Sequence, residues 1–123
     1  MNWRKAPEEV AAKFDAALPN DPLVQKRKMF GYPAAFVNGN MFAGVHQENI
    51  VLRLPPDKRE QLLGEPGAQQ FELMAGRPMR EYIVVPDSFL GNASTLGAWL
   101  EESFRFVGSL PVKEPKPQRE KAG

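Results

Sequence analysis

The stretch KRKMFGYPAAFVNGNMFAGVHQENIVLRL, residues 26–54, decides the fold because it divides into short apolar runs separated by turn residues. Asn38-Gly39 is the pair that type I′ hairpin turns favour, since both central residues of such a turn need a positive φ. We therefore predict a strand on each side of this turn, at 34–37 and at 41–45.

A third strand follows the first two. A looser turn at 47–49 leads into it, and Ile50, Leu52 and Leu54 then alternate with other residues. This period of two is typical of a half-buried strand. The stretch thus predicts an antiparallel meander of three strands, with helices before and after it.

Two amphipathic helices are predicted near the ends of the chain. Pro7 suits the first position of the N-terminal helix. The C-terminal helix runs from about Thr95 to Val107, with Ser94 as its expected cap and Gly108 as its stop. The apolar stripes consist of Val10, Phe14, Ala17 and Leu18 in the first helix, and of Leu96, Trp99, Leu100, Ser103, Phe104 and Val107 in the last.

A short helix and two strands complete the pattern. The helix spans 56–63, with Leu62 and Leu63 as its apolar anchors, and the strands span 71–74 and 79–85. Three contiguous β-branched residues, 83–85, indicate that the last strand is buried on both faces or central in the sheet. The order α-β-β-β-α-β-β-α predicts an α+β fold in two layers, a mostly antiparallel five-stranded sheet with helices packed on one face.

The composition indicates one globular domain. The chain has 123 residues, of which 42% are hydrophobic and 25% charged. It has no cysteine, no apolar run near the ~20 residues that span a bilayer, and no signal-peptide pattern at its start. We expect a cytoplasmic protein without membrane contact. The domain would cover 1–110, and 111–123, PVKEPKPQREKAG, would be a flexible, charged, proline-rich tail.

One basic cluster is a candidate for contact with nucleic acid or a partner. Lys26, Arg27 and Lys28 are adjacent, and Phe30 and Tyr32 follow them, so that cations can meet phosphates while rings stack on bases. Alternation along an edge strand would instead send Arg27 to one face and the two lysines to the other. Charged residues on an edge strand can also serve only to block aggregation between strands. The formal net charge is only +1. Arginines that would extend the cluster are Arg53, Arg77 and Arg80.

No catalytic residue, cofactor site or metal site is predicted. His46 is the single histidine, and its place at a strand end beside Gln47 and Glu48 favours an exposed turn residue. Only a pocket lined by polar groups around His46 or Arg77 would favour an enzyme. The glycines match no phosphate-binding motif, and the carboxylate pairs lack a third ligand.

An aromatic run offers a different kind of contact. Phe30, Tyr32, Phe36 and Phe42 are typical core residues, but they can also leave an apolar patch for a partner protein. A homodimer formed through sheet or helix faces is an open alternative.

Two blocks of sequence carry a family resemblance. The first contains Lys28-Met29-Phe30-Gly31 and then Phe36-Val37-Asn38-Gly39-Asn40-Met41-Phe42-Ala43. The second contains Gly76-Arg77-Pro78-Met79, followed by Tyr82, Pro86, Leu96 and Trp99. In this order, over about 10–107, they resemble the N-terminal domain of the TfoX/Sxy family of competence regulators.

The resemblance implies a fold and a class of function. The fold is helix, three strands, helix, two strands, helix, and the family supplies no catalytic residues. The regulators carry a C-terminal helical domain, whereas only the charged tail follows here, so we expect a stand-alone domain. The main hypothesis is a non-enzymatic regulatory or protein-interaction domain. The alternative is a nucleic-acid-binding accessory protein that uses Lys26, Arg27 and Lys28.

Overall fold

A computed structural model describes residues 7–29, 31–74 and 77–112, with 73, 74, 77 and 78 described by their backbone alone. A 3₁₀ turn, Asp87–Gly91, comes before the last helix. In chain order, the helices and strands are α1 (Glu8–Ala17), β1 (Gln25–Met29), β2 (Tyr32–Val37), β3 (Asn40–His46), β4 (Asn49–Arg53), α2 (Pro56–Leu63), β5 (Gln69–Met74), β6 (Arg77–Val84) and α3 (Ala93–Gly108).

The strands form one antiparallel sheet in the order β1-β2-β3-β4-β6-β5. The α+β class is confirmed, and β6 is internal, as its run of β-branched residues predicted. The predicted count of five strands is wrong, because β1 makes a sixth. This strand, QKRKM, lies at the sheet edge with all five residues exposed, so it has no apolar alternation by which the sequence could reveal it.

Three tight hairpins join β1 to β4. Asn38 and Gly39 have φ values of 55° and 79°, which confirms the positive φ predicted for both residues of this turn. The next turn is tighter than predicted, since His46 pairs with Asn49 and only two residues, the first at φ 56°, lie between them. The meander therefore has four strands instead of three.

The three helices pack on one face of the sheet, as predicted. Each contributes buried side chains to a single core: Val10 and Phe14 from α1, Leu62 from α2, and Leu96, Leu100 and Val107 from α3. Leu63, the second predicted anchor of α2, is 41% exposed, so that prediction is wrong. Within the described ranges, no helix combines the length and apolar content needed to cross a bilayer.

The cap of α3 differs from the prediction. Asn92, and not Ser94, is the N-cap, and its Oδ1 accepts a hydrogen bond from the backbone N–H of Thr95 at 3.2 Å. The helix begins earlier because the 3₁₀ turn, which the sequence pattern did not indicate, ends directly before Asn92. An asparagine in this position satisfies one of the free N–H groups of the first turn.

A buried serine of α3 lies where the β3–β4 ladder ends. The register changes between Ala35–Ala43 and Phe36–Met41, so Phe42 is an extra residue in β3. The hydroxyl of Ser103, fully buried, lies 2.5 Å from the carbonyl oxygen of Phe42 and 2.7 Å from that of Arg53. Because a serine hydroxyl has one proton, it donates to one of these two carbonyls at a time.

Candidate functional site

The face of the sheet opposite the helices has its own apolar cluster. Val51, Phe71 and Val84 are buried there, and Met79 and Tyr82 pack against them. These residues come from β4, β5 and β6. The sheet therefore buries apolar side chains on both faces, although the helices pack on only one.

This second face is concave. The rings of His46 on β3 and Phe71 on β5 are 5.2 Å apart between centroids. In a flat sheet these strands, three positions apart in the order, would be separated by about 14 Å. The sheet therefore curls toward this side and brings β5 over β3.

A tyrosine also ties β6 to β3 across β4. The hydroxyl of Tyr82 donates to the carbonyl oxygen of Met41 at 3.1 Å. Burial raises the pKa of Tyr82 above its ordinary value, with a smaller opposing effect from the charge of Arg53. Because the hydroxyl stays protonated, it remains a hydrogen-bond donor across the curled face.

His46 stands between two aromatic rings. Its centroid is 5.4 Å from that of Tyr32 at an interplanar angle of 58°, and the ring of Phe71 meets it edge to face at 70°. Burial lowers the pKa of His46, and the negative charge of Glu48 acts in the opposite direction. The prediction of an exposed turn residue is wrong, because alternation along β3 places this half-buried side chain on the concave face with Gly44.

An apolar cavity of about 80 Å³ opens beside this histidine. Its wall is almost entirely carbon, and Met29, 39% exposed, lies at its rim on β1. A space of this size holds part of one apolar side chain. Other residues of the wall include Tyr32, Met41, Gly44, Val51, Phe71 and Met79.

A polar groove of about 500 Å³ lies on the other side of His46. Gln70 forms part of its wall, and its Nε2 donates to the carbonyl oxygens of Met79 at 2.7 Å and Tyr82 at 3.0 Å. That amide nitrogen therefore supports the irregular β5–β6 pairing. The groove therefore places polar groups around His46, as an enzyme hypothesis requires, but among the described residues its wall contains no serine, threonine, cysteine or lysine that the histidine could activate as a nucleophile. Its remaining polar residues are Gln47, Asn49, Gln69 and Glu72.

The basic cluster is divided between two faces, as alternation predicted. Lys26 pairs with Ala35 and Arg27 with Ala34 in the register of β1 and β2. The ammonium of Lys26 is 2.7 Å from the carboxylate of Asp15 on α1, which places it on the helix side. The guanidinium of Arg27 lies 4.8 Å above the ring centroid of Phe36. Lys28 is exposed.

The fold does not place the predicted arginines beside this cluster along the sheet. Arg53 is on β4, three strands from β1, and its Nε is 2.5 Å from the carboxylate of Glu81. Arg80 is on β6, four strands away, where its carbonyl oxygen accepts from Arg59 of α2. Arg77 is also on β6, described by its backbone alone.

The two aromatic candidates have different outcomes. Phe30 lies outside the described residues. Tyr32 is only 4% exposed and belongs to the cavity wall. A buried ring cannot stack on a nucleic-acid base unless the surface opens. Across the part of the chain that the structure describes, no group of three or more histidine, aspartate and glutamate side chains is placed to hold a metal ion.

The antiparallel sheet with helices on one face can now be compared with known families. The sequence model of the TfoX N-terminal domain family matches residues 16–107 of this chain. This chain belongs to the TfoX N-terminal domain family. In this TfoX N-terminal domain the matched segment includes all six strands, and therefore β1, the cavity and the polar groove. A search among curated proteins finds no match.

Proposed function

We propose that this TfoX N-terminal domain is a non-enzymatic protein-interaction module of a regulatory kind. The observation that carries the proposal is the position of Met29, a large apolar side chain 39% exposed at the rim of a carbon-lined cavity. It lies on β1, an edge strand whose residues are all exposed. The edge and the cavity form one continuous surface, named here the β1 surface, that a second protein can cover.

The energetics favour a protein partner for such a surface. Burying a fully exposed methionine side chain contributes roughly 1.5–3 kcal/mol, so covering the 39% of Met29 that is exposed contributes about 0.6–1.2 kcal/mol. Interfaces depend on a few apolar anchors that enter pockets, surrounded by contacts that exclude water. A cavity that fits part of one side chain, beside an exposed methionine, has the dimensions of such an anchor site.

Nucleic-acid binding through Lys26, Arg27 and Lys28 is the competing hypothesis. Strand alternation divides these cations between two faces, and the carboxylate of Asp15 lies 2.7 Å from the ammonium of Lys26. Arg53 is likewise paired, with Glu81. A phosphate backbone needs several cations on one path, so this arrangement favours a protein partner.

Site-specific photo-crosslinking tests the proposal. A photoreactive amino acid replaces Met29 in cells that produce the protein, and a matched variant carries it at Ser94, an exposed position on α3. We expect discrete protein adducts from position 29 alone. The captured protein, once purified, should bind wild type and Ser94→Asp equally, and Met29→Asp at least about tenfold more weakly.

Other outcomes contradict the proposal in defined ways. Equal adducts from positions 29 and 94 would mean that the β1 surface has no special role. Adducts with nucleic acid would support the competing hypothesis. Adducts with the same chain, together with a doubled mass in sedimentation, would indicate a homodimer instead of a separate partner.

A further inference from the structure

We propose that β1 binds an acidic, extended peptide of a partner protein as an added seventh strand. The inference rests on the proposed function and specifies both the binding mode and the chemistry of the partner. It is carried by the juxtaposition of a free sheet edge, two differently placed cations and an exposed methionine within five residues.

The first requirement is an edge that can pair. β1 is the first strand in the sheet order, and among the described residues it pairs with β2 alone. In an antiparallel pair, every second residue directs its N–H and C=O away from its partner. These outward groups of an edge strand form a template for another strand. All five residues of β1 are exposed, so the template is open to solvent.

The second requirement is that the cationic side chains flank the edge. Side chains of a strand stand on its two faces, whereas the hydrogen-bonding groups lie in the plane of the sheet. Asp15 holds Lys26 on the helix side, and the ring of Phe36 holds Arg27 on the concave side. Two of the three cations therefore lie on opposite faces of β1, each beside a group that favours its position.

Charge decides which strand can pair there. If two copies of β1 paired antiparallel about Arg27, that residue would face itself and Lys26 would face Lys28. Like charges directly opposite each other on neighbouring strands are destabilising, whereas opposite charges stabilise the pair. A second copy of this chain is therefore disfavoured. An acidic strand meets Arg27 and Lys28 with complementary charges, whereas Lys26 already has the carboxylate of Asp15 beside it.

In addition to acidic residues, the concave side of β1 favours one apolar residue in the bound peptide. Met29 pairs with Tyr32 in the register and, like Arg27, lies on the concave side of β1. A residue of the added strand opposite Met29 would stand beside the cavity rim. An apolar side chain there would cover the methionine and shield the cavity from water. The favoured peptide therefore has an apolar residue opposite Met29, followed by acidic residues opposite Lys28 and Arg27.

A synthetic peptide carrying Leu-Glu-Glu in this register tests the inference on the purified full chain. We expect saturable binding by calorimetry and slower hydrogen exchange of the amides of β1. The decisive control peptide has the same sequence and charge, but it is N-methylated at the amides that would pair with β1. It should bind at least about tenfold more weakly, because it cannot form the ladder.

Charge-reversal variants locate the site. Arg27→Glu and Lys28→Glu should each weaken binding about fivefold to tenfold. Arg105→Glu reverses a 70% exposed charge on α3 and should leave binding unchanged. Circular dichroism and urea midpoints identify any variant that fails to fold. If either Arg27→Glu or Lys28→Glu fails to fold, the other charge-reversal variant decides the result.

Several results would overturn the inference. Equal binding of the methylated and unmethylated peptides would show attraction by charge alone. Binding of a single-stranded oligonucleotide in place of the peptide would make nucleic acid the ligand. If the protein captured through Met29 binds without competition from the peptide, the added strand is refuted while the proposed function stands. If Met29 captures no protein and the peptide does not bind, both fail.

Discussion

The side-chain amide of Asn38 donates a hydrogen bond to the carbonyl oxygen of Gly108 at 3.1 Å. This contact joins the turn between β2 and β3 to the last turn of α3. Asn38 therefore has two roles, since it also adopts the positive φ of the turn and satisfies a carbonyl that the helix end leaves without a partner. Its neighbour Asn40 acts similarly on the carbonyl oxygen of Pro111 at 3.2 Å.

Two substitutions separate the roles of Asn38. Asn38→Gly keeps the positive φ but removes the amide, so we expect a loss of about 0.5–1.5 kcal/mol in the free energy of unfolding. Asn38→Ala also imposes a left-handed backbone on alanine and should cost about 1 kcal/mol more. Urea denaturation measures both values. Equal stability of the two variants would mean that the turn does not constrain this residue.

Replacing Ser103 by alanine should destabilise the fold. The change removes the donor that serves the carbonyl oxygens of Phe42 and Arg53 in a fully buried position. We expect a loss of about 1–3 kcal/mol in unfolding free energy, the usual cost of a buried polar group left unsatisfied. Ser109→Ala, at the exposed end of the same helix, is the control and should have little effect. Equal small losses would refute this role for Ser103.

His46 should make the fold less stable in acid. Burial lowers its pKa in the folded state below the unfolded value near 6.5, so the unfolded chain binds more protons as the pH falls. The contribution of His46 to the free energy of unfolding is absent above pH 6.5. It becomes destabilising as the pH falls from 6.5 through the folded pKa. When the pH is lowered from 7.5 to 5, the urea midpoint should therefore decrease less for His46→Phe than for wild type. An identical decrease would contradict the prediction.

The glycines of the meander should respond in opposite directions to alanine. At Gly44 an added Cβ would meet Pro33 O, Ala34 Cβ and Met41 Cε at 3.5–3.7 Å, which are ordinary contacts. Gly44→Ala should therefore raise the unfolding free energy by about 0.5–1 kcal/mol, because alanine loses less backbone entropy. Gly39→Ala, at φ 79°, should lower it by about 1–2 kcal/mol. Thermal denaturation of the two variants measures the contrast.

Local chemistry made much of the fold predictable. Asn38-Gly39 located a hairpin because its positive φ values are a property of two residues alone. The apolar stripe of α3 located the helix face, and α2 has the predicted bounds, Pro56–Leu63. β1 is missing from the predicted strand count because an edge strand exposed on both faces carries no apolar period, although the alternation predicted for its charges is that of an edge strand.

The candidate site was less predictable because it depends on the curvature of the whole sheet. Alternation correctly divided Lys26 from Arg27, and the same rule applied to β3 places His46 with Gly44. The contact between the rings of His46 and Phe71 could not be predicted in this way. Phe71 is three strands away in the sheet order, and no local pattern indicates that the sheet curls enough to bring the rings together.

The strand order also has a consequence for how the chain folds. All pairings among β1 to β4 connect neighbours along the chain, none farther apart than Gln25 and Phe36, and β5 pairs with β6 in the same local way. Only β4 and β6 join distant residues, such as Val51 and Val84. Because long loops close slowly, we expect the sheet of β1 to β4 and the hairpin of β5 and β6 to form first. The pairing of β4 with β6 should form last. Until this pairing forms, each of the two parts exposes an apolar strand edge, so aggregation of partly folded chains should begin at β4 and β6.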